Sequence, residues 1–392
     1  MPSYDLPPGP HDAGRTDRVA VVGGGVIGCA VARELAPDHE VVVVERGRVA
    51  GGATARAAGL ITMTPSYSDL PSISDPANGF FRAYDGTRRF RYTERESVEP
   101  IPPDREGEAR RRVERLSADG VAVSFVESGR LAERYPRIDT SGGVGAVAFE
   151  GTGWVDPYTF ATTLRDDAAE RGAEFRTDTT VDAVRVENDA VTGVETGAGV
   201  VEADGIVAAA GWRTADLLAD LVALPIRPYR TQCVVVDPGE DASDLPIGWL
   251  PDDHVYWRPE HNGDLLLGGW SVAEDDPEGA SRDEDEAFRQ HAAELLPGVF
   301  EGTDDATFVD GWAGVDGATP DTRPIVDAPA DAPEGLVVAT GFHGRGVMTA
   351  PVASRGVRAL LAGEDPGFPL STFALDRFDS RSREFEFVSI SA

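Results

Sequence analysis

A short apolar run, Arg18-Val-Ala-Val-Val22, opens the patterned part of the chain and reads as a buried strand. It passes into Gly23-Gly-Gly-Val-Ile-Gly28 and then into a helix-like stretch, Cys29 to Ala36, which Pro37 ends. A second aliphatic run, Glu40 to Val44, stops at Glu45, completing a βαβ unit of about thirty residues. Similar strand patterns return at Asp204–Gly211 and Gly335–Gly341, each ending in glycine. The second leads into a helical pattern over Val347–Leu361. Strands that end in glycine at one edge are what a doubly wound parallel sheet offers a ligand.

Elsewhere the texture changes. Residues 86–150 carry helical stretches rich in Arg and Glu. Residues 226–310 read as antiparallel strands at Gln232–Asp237, His254–Arg258 and Leu265–Gly269, and the loop Pro259–Gly263 predicts a hairpin. The expected fold class is α/β: a Rossmann-like domain assembled from discontinuous segments (18–85, 151–225 and 311–365) plus an α+β domain with an antiparallel sheet (86–150 and 226–310). Residues 1–17 are expected to form a disordered tail, and 366–392 a C-terminal tail without a readable pattern.

Composition then narrows the function classes. With 392 residues, 41% of them hydrophobic, the chain can bury a large core. No apolar run approaches the roughly 20 residues a membrane span needs. The N-terminus has neither an apolar signal core nor paired arginines, so export is not expected. Thirty-six basic residues, every one arginine, face 68 acidic ones for a net charge of −32. Such a surface repels phosphate backbones and argues against nucleic acid as a partner. It suggests an intracellular protein of a salt-loving organism, where screening relieves self-repulsion. The two cysteines, Cys29 and Cys233, cannot build a disulfide framework or a metal site alone, which fits a reducing cytoplasm.

Gly23-x-Gly25-x-x-Gly28 recurs by chance in a chain with 44 glycines. Its setting adds weight: a strand before it, a helix after it, and Glu45 at the end of the next strand. The glycines bring backbone N–H groups to a pyrophosphate at a helix N-terminus, and Glu45 suits a ribose. Dinucleotide binding follows, with FAD and NAD both open on these residues. A second small-residue stretch, Gly51–Gly59, would let the backbone pass a long cofactor and offers Thr54 to a phosphate.

The chain resembles the flavin-dependent amine and amino-acid oxidoreductase superfamily that includes glycine oxidase, D-amino-acid oxidases and dehydrogenases, and sarcosine and dimethylglycine dehydrogenases. The matching residues run from about 18 to 363. They comprise both stretches above, Gly153-Trp-Val-Asp-Pro157, Val207–Trp212, Gly311-Trp-Ala-Gly314 with Thr319-Pro-Asp321, and Ala339–Gly346 before a helix containing Pro351. The resemblance implies an FAD domain, an antiparallel-sheet substrate domain and the flavin ring between them. Gly23, Gly25, Gly28, Glu45 and Arg46 would hold the ADP half, and Val181 would meet the adenine through its backbone. Thr54, Ala58 and Gly59 would line the middle of the cofactor, and Gly211 the ribityl chain. Gly341, Gly344, Arg345 and Gly346 would lie beside the ring, where Arg345 and a helix N-terminus place positive potential at the N1–C2=O edge.

The departures are informative. Glycine oxidase-like members carry a carboxylate-binding arginine shortly after Trp-Ala-Gly, whereas this chain has Asp316 there, which would repel a carboxylate and suit a cation. Met348 stands where sarcosine oxidase-like members have an oxygen-activating lysine, which leans toward a dehydrogenase. The positions used for covalent attachment offer Gly314 and Arg56, so FAD is expected to be non-covalent. The expected catalytic contacts are His343, Arg345 and Tyr256, and the expected substrate contacts are Arg56, Arg258 and Asp316. Each has a plainer alternative: Tyr256 in the core, Arg258 paired with an acid, His343 satisfying backbone groups.

The expected reaction is oxidation of a C–N bond in a small amine or amino acid by hydride transfer to flavin N5, followed by imine hydrolysis. FAD-dependent oxidation of a 2-hydroxy acid is one alternative, and a non-catalytic flavoprotein subunit of an electron-transfer complex is another. The expected partners are the substrate and either oxygen or an electron carrier, with no metal, and the expected location is the cytoplasm.

Overall fold

A computed structural model describes residues 17–390, so the expected disordered tail lies outside the described residues apart from Asp17. The valine runs become neighbouring parallel strands. Arg18–Val22 pairs with Glu40–Val44 on one side and with Gly205–Ala208 on the other. Leu336–Thr340 and Glu174–Arg176 extend this sheet in parallel, and Ile325–Asp327 closes one edge as its antiparallel member, giving six strands.

Alternation along these strands sorts their side chains onto two cores. Val19, Val21, Val41 and Val43 pack under three helices, Val26–Leu35, Pro157–Glu170 and Gly346–Ala362. Ala20, Val22, Val42 and Val44 face a three-stranded antiparallel sheet formed by Val181–Glu187, Ala190–Thr196 and Gly199–Glu202. Cover on both faces is why the strands are aliphatic without polar breaks.

The second large sheet has eight strands, with Thr307–Ala318, Arg227–Asp237, Leu265–Ala273 and Val255–Pro259 in consecutive order. Residues 86–150 contribute three strands to it, Ser97–Ile101, Val123–Glu127 and Gly145–Phe149, where the sequence suggests mainly helices. Each is only five residues long, two of them carry Ser and Glu and the third is apolar throughout, so no alternation marks them. One face of the sheet closes on the helix Glu286–Val299, with Val234, Val236, Trp257 and Leu267 against Phe288, Ala292 and Leu296. The other face turns toward the parallel-sheet domain.

The C-terminal segment is not patternless in space. Phe368 and Phe373 enter the first core and Leu375 the second, and Arg377 pairs with Asp321 at 2.8 Å. From there the chain returns to the antiparallel sheet, where Arg227 Nη1 donates to the Phe385 carbonyl at 3.1 Å.

Candidate functional site

The glycine loop is built by close approach. A Cβ on Gly28 would stand 1.9 Å from the Gly23 carbonyl oxygen, so the helix Val26–Leu35 can sit on the strand only if residue 28 is glycine. Gly23 itself has φ +109° against the Ala209 carbonyl, a backbone glycine adopts freely. The helix begins at an N-cap, Gly25, that has no side chain to cap it. The Val26 N–H is taken by the Thr54 hydroxyl oxygen at 3.0 Å, leaving the Thr54 proton available to donate. Glu45 receives the Gly24 N–H at 2.7 Å and the Gly47 N–H at 2.8 Å, which fixes its carboxylate at the rim of the loop. A helix start whose N-cap is glycine, a wall that excludes side chains and a fixed carboxylate together fit a dinucleotide's pyrophosphate and ribose.

Thr179 N–H donates to the Glu45 carbonyl and Asp178 N–H to the Gly47 carbonyl, which brings Val181 to the same rim. Gly211 (φ +61°) accepts the Thr340 hydroxyl at 2.7 Å, linking the ends of two central strands. Ala58 is buried, and the Gly59 carbonyl accepts the Val155 N–H at 2.9 Å. Arg46 turns outward, and its guanidinium meets Glu278 at 3.1 Å.

The sheet face opposite this loop carries Tyr256, Cys233, Trp312 and Leu266, packed on Ala58 and Leu60. Trp312 Nε1 donates to the Arg56 carbonyl at 2.9 Å, and Arg258 Nε donates to the Ala58 carbonyl at 2.6 Å. These two bonds clamp the sheet to the Gly51–Gly59 stretch. Arg258 is thereby corrected from a substrate contact to a structural clamp. It is buried, stacks on Trp154 at 4.4 Å and pairs with Glu260 at 3.0 Å. Tyr256 lies with its hydroxyl 3.7 Å from Cys233 Sγ, and burial pushes its pKa well above the usual tyrosine range, so it is a neutral O–H at physiological pH. Arg56 is half-buried beside Gly314. Among the described residues its guanidinium has no ion pair and no hydrogen bond.

Further along the same face, Tyr229 stands directly across the strand pair from Asp316. Asp316 accepts the Gly344 N–H at 2.9 Å, and the His343 N–H donates to the Gly317 carbonyl at 3.0 Å. The loop Gly341–Gly346 is thus stitched to the sheet, and the helix Gly346–Ala362 starts from it. Asp316 is occupied by the loop rather than free for a substrate. Burial raises its pKa while the Gly344 and Gly317 N–H groups and the Tyr229 hydroxyl pull the other way. Arg345 is the N-cap of that helix, and its Nη1 donates to the Thr322 carbonyl at 2.6 Å, so its charge adds to the helix N-terminus without a carboxylate partner.

His343 is corrected too. It is fully buried, with left-handed φ of 49°. Its Nδ1 accepts the Thr319 N–H at 3.4 Å and its Nε2 lies 2.8 Å from the Val388 carbonyl, which fixes the neutral Nε2–H tautomer. Burial pushes its pKa down to about 4. Both nitrogens are spent, so His343 carries no proton for the reaction and instead pins the C-terminal segment. Phe387 lies parallel to its ring at 5.7 Å and contacts Tyr229 at 5.2 Å, and Ile390 packs over Gly344. Sequence reasoning missed Tyr229 and this strap, because only the register opposite Asp316 and the return of the chain end bring them here.

A family model described as FAD dependent oxidoreductase (DAO) matches residues 18–360. Glycine oxidase of Geobacillus kaustophilus is 26% identical over 373 residues, covering 92% of this chain and 96% of its own. Glycine oxidase of Pseudomonas putida is 28% identical over 366 residues, covering 89% and 95%. The solved L-proline dehydrogenase of P. horikoshii superposes with a TM-score of 0.84 at 22% identity, covering 93% of this chain and 98% of that one, and so shares the fold. The match from strand Arg18–Val22 to the last long helix settles the cofactor as well as the architecture: this chain belongs to the FAD dependent oxidoreductase (DAO) family.

Proposed function

We propose that the chain oxidises a C–N bond of a small amine or amino acid, with water then hydrolysing the imine to a carbonyl compound and an amine. The single observation that supports this is a sheet face carrying Tyr256 and Trp312 that meets the Gly51–Gly59 stretch at Arg56, beside a loop whose helix start and Arg345 hold positive potential. Relatives named glycine oxidase and a fold neighbour named L-proline dehydrogenase support a substrate of this size and bond type. When bound, FAD supplies the acceptor for the two electrons that leave as hydride from the carbon next to nitrogen.

The chain's own residues bind and orient. Arg56 is the reading for a carboxylate anchor, since Asp316 and Gly344 offer none. Tyr256 supplies a neutral hydroxyl for the amine or the carboxylate. The Arg345 end of the helix Gly346–Ala362 favours negative charge gathering beside it. Neither a protein nucleophile nor an acid–base pair is required. Met348 at the start of this helix is buried against Thr62, at 3.6 Å, and brings no cation there, so we read an electron carrier rather than oxygen as the acceptor.

The test is product release. The FAD-loaded chain, supplied with an artificial electron acceptor and candidate amines, should liberate ammonia or methylamine together with a carbonyl compound. Replacing Arg56→Met should raise KM for an amino-acid substrate about tenfold or more while changing kcat little, as loss of a binding contact does. An unchanged KM would remove Arg56 from the site. We also infer a cytoplasmic setting in a salt-loving organism, supported by the −32 charge, the arginine-only basic residues and two buried free cysteines. Among the described residues no helix is long and apolar enough to cross a membrane.

A further inference from the structure

Residues 274–285 connect the strand Leu265–Ala273 to the helix Glu286–Val299, and both ends of this loop are fastened to the antiparallel sheet. Glu274 N–H donates to the Pro228 carbonyl at 2.9 Å, Ala313 N–H donates to the Arg282 carbonyl at 2.7 Å, and Arg230 donates to the Ser281 carbonyl at 3.1 Å. The apex leaves the sheet and crosses to the parallel-sheet domain. There Glu278 Oε1 accepts from Arg46 Nη1 at 3.1 Å and from Arg213 Nε at 2.7 Å, while Oε2 accepts from Arg213 Nη2 at 2.8 Å.

The strand order says what lies beneath. Arg46 follows the strand Glu40–Val44, Arg213 follows Gly205–Ala208, and Arg18–Val22 runs between those two strands. A path from Arg46 through Glu278 to Arg213 therefore spans the C-terminal end of Arg18–Val22, where the loop Gly23–Gly28 begins. Arg213 is braced for this contact, because its guanidinium stacks at 3.9 Å on the indole of buried Trp212. Two-point contact with Arg213 gives the carboxylate a defined orientation instead of a loose surface pairing. The arginines hold Glu278 ionised, its pKa drawn down to about 2.

We propose that Glu278 is a positioning residue for the cofactor: the loop 274–285 is a latch that ties the two domains together over the ADP half of FAD and slows its release. The latch rests on the cofactor lying at Gly23–Gly28 and is independent of which bond the enzyme oxidises. The carboxylate spans the site from one domain to the other, so its removal should act on the cofactor's escape before it acts on folding.

The experiment follows FAD release from the holoenzyme as recovery of free-flavin fluorescence after dilution, for the native chain, Glu278→Gln, Arg213→Gln and the double variant. Release should be about five- to tenfold faster in each single variant, the size of a coupling near 1 kcal/mol. It should be no faster in the double variant than in Glu278→Gln, because Glu278 is one end of every contact in the latch. Glu278→Asp should restore part of the slow release. Melting temperatures of the cofactor-free chains serve as the folding control; should Arg213→Gln fail to fold, Glu278→Gln and Glu278→Asp still decide. Equal release rates for Glu278→Gln and the native chain would overturn the latch. Slower release would overturn it too, since Glu278 would then be competing with phosphates for the arginines. A native chain that holds no FAD would instead indict the cofactor site itself.

Discussion

The carboxylate of Asp316 accepts the backbone N–H of Gly344 at 2.9 Å, so the residue occupying a usual anchor position for substrate serves here to dock the cofactor-side loop on the substrate sheet. Asp316→Ala leaves that N–H unpaired and should cost about 1–3 kcal/mol of stability. Asp316→Asn keeps an acceptor oxygen and removes a buried charge, so it should cost much less. Urea unfolding of the two variants checks the order. Equal losses, or none for Asp316→Ala, would contradict the docking role.

His343 predicts a pH dependence. Its folded pKa, about 4, lies below the 6.5 of an unperturbed histidine, mainly through burial. The unfolded chain therefore binds the extra proton between these values. Stability is fully present above pH 6.5 and falls as pH drops toward 4, by about 3 kcal/mol from this group. His343→Gln should flatten that part of the stability profile. A native chain equally stable at pH 7 and pH 4.5 would contradict the buried neutral imidazole.

Glu45 and Gly28 test the cofactor loop. Removing the carboxylate with Glu45→Ala frees the Gly24 and Gly47 N–H groups and loses the ribose acceptor, and FAD affinity should fall about 10- to 100-fold, as for charge-assisted hydrogen bonds worth 1.5–3 kcal/mol. Gly28→Ala places a methyl 1.9 Å from a backbone oxygen and should abolish FAD binding while destabilising the chain. Equilibrium dialysis against FAD reads both.

Much of this was legible in the sequence where a local pattern and a tertiary demand coincide. Both faces of the central strands are covered, so Val41–Val44 shows an unbroken aliphatic run, and the glycine spacing records a close approach that only glycine permits. The helix pattern at Val347–Leu361 appears as Gly346–Ala362 for the same reason. Legibility ended where long-range pairing decides. The hairpin at Asn188-Asp189, with both residues at positive φ, carries a turn signal that the weak alternation of its flanking strands obscures. His343 is a candidate catalytic contact by its position in the sequence, yet its nitrogens are claimed by Thr319 and by Val388, 45 residues downstream. Arg258 is a candidate substrate contact in the sequence, yet its partner Ala58 lies 200 residues away. No spacing rule reports such contacts.

The charge excess predicts salt dependence. At −32, self-repulsion opposes the compact state, and ions screen it over about 10 Å at 0.1 M and about 3 Å at 1 M salt. The melting temperature should rise by several degrees between these concentrations of potassium chloride. A melting temperature that falls would show that the arginine–carboxylate pairs outweigh the net repulsion.

The central claim is tested most directly by the visible spectrum of the FAD-loaded chain, followed without oxygen as glycine, sarcosine, dimethylglycine, proline, D-amino acids and 2-hydroxy acids are added in turn. The account predicts that at least one of the C–N compounds bleaches the flavin band and that the hydroxy acids do not. Bleaching by hydroxy acids alone, or a flavin that none of the amines reduces, would contradict it.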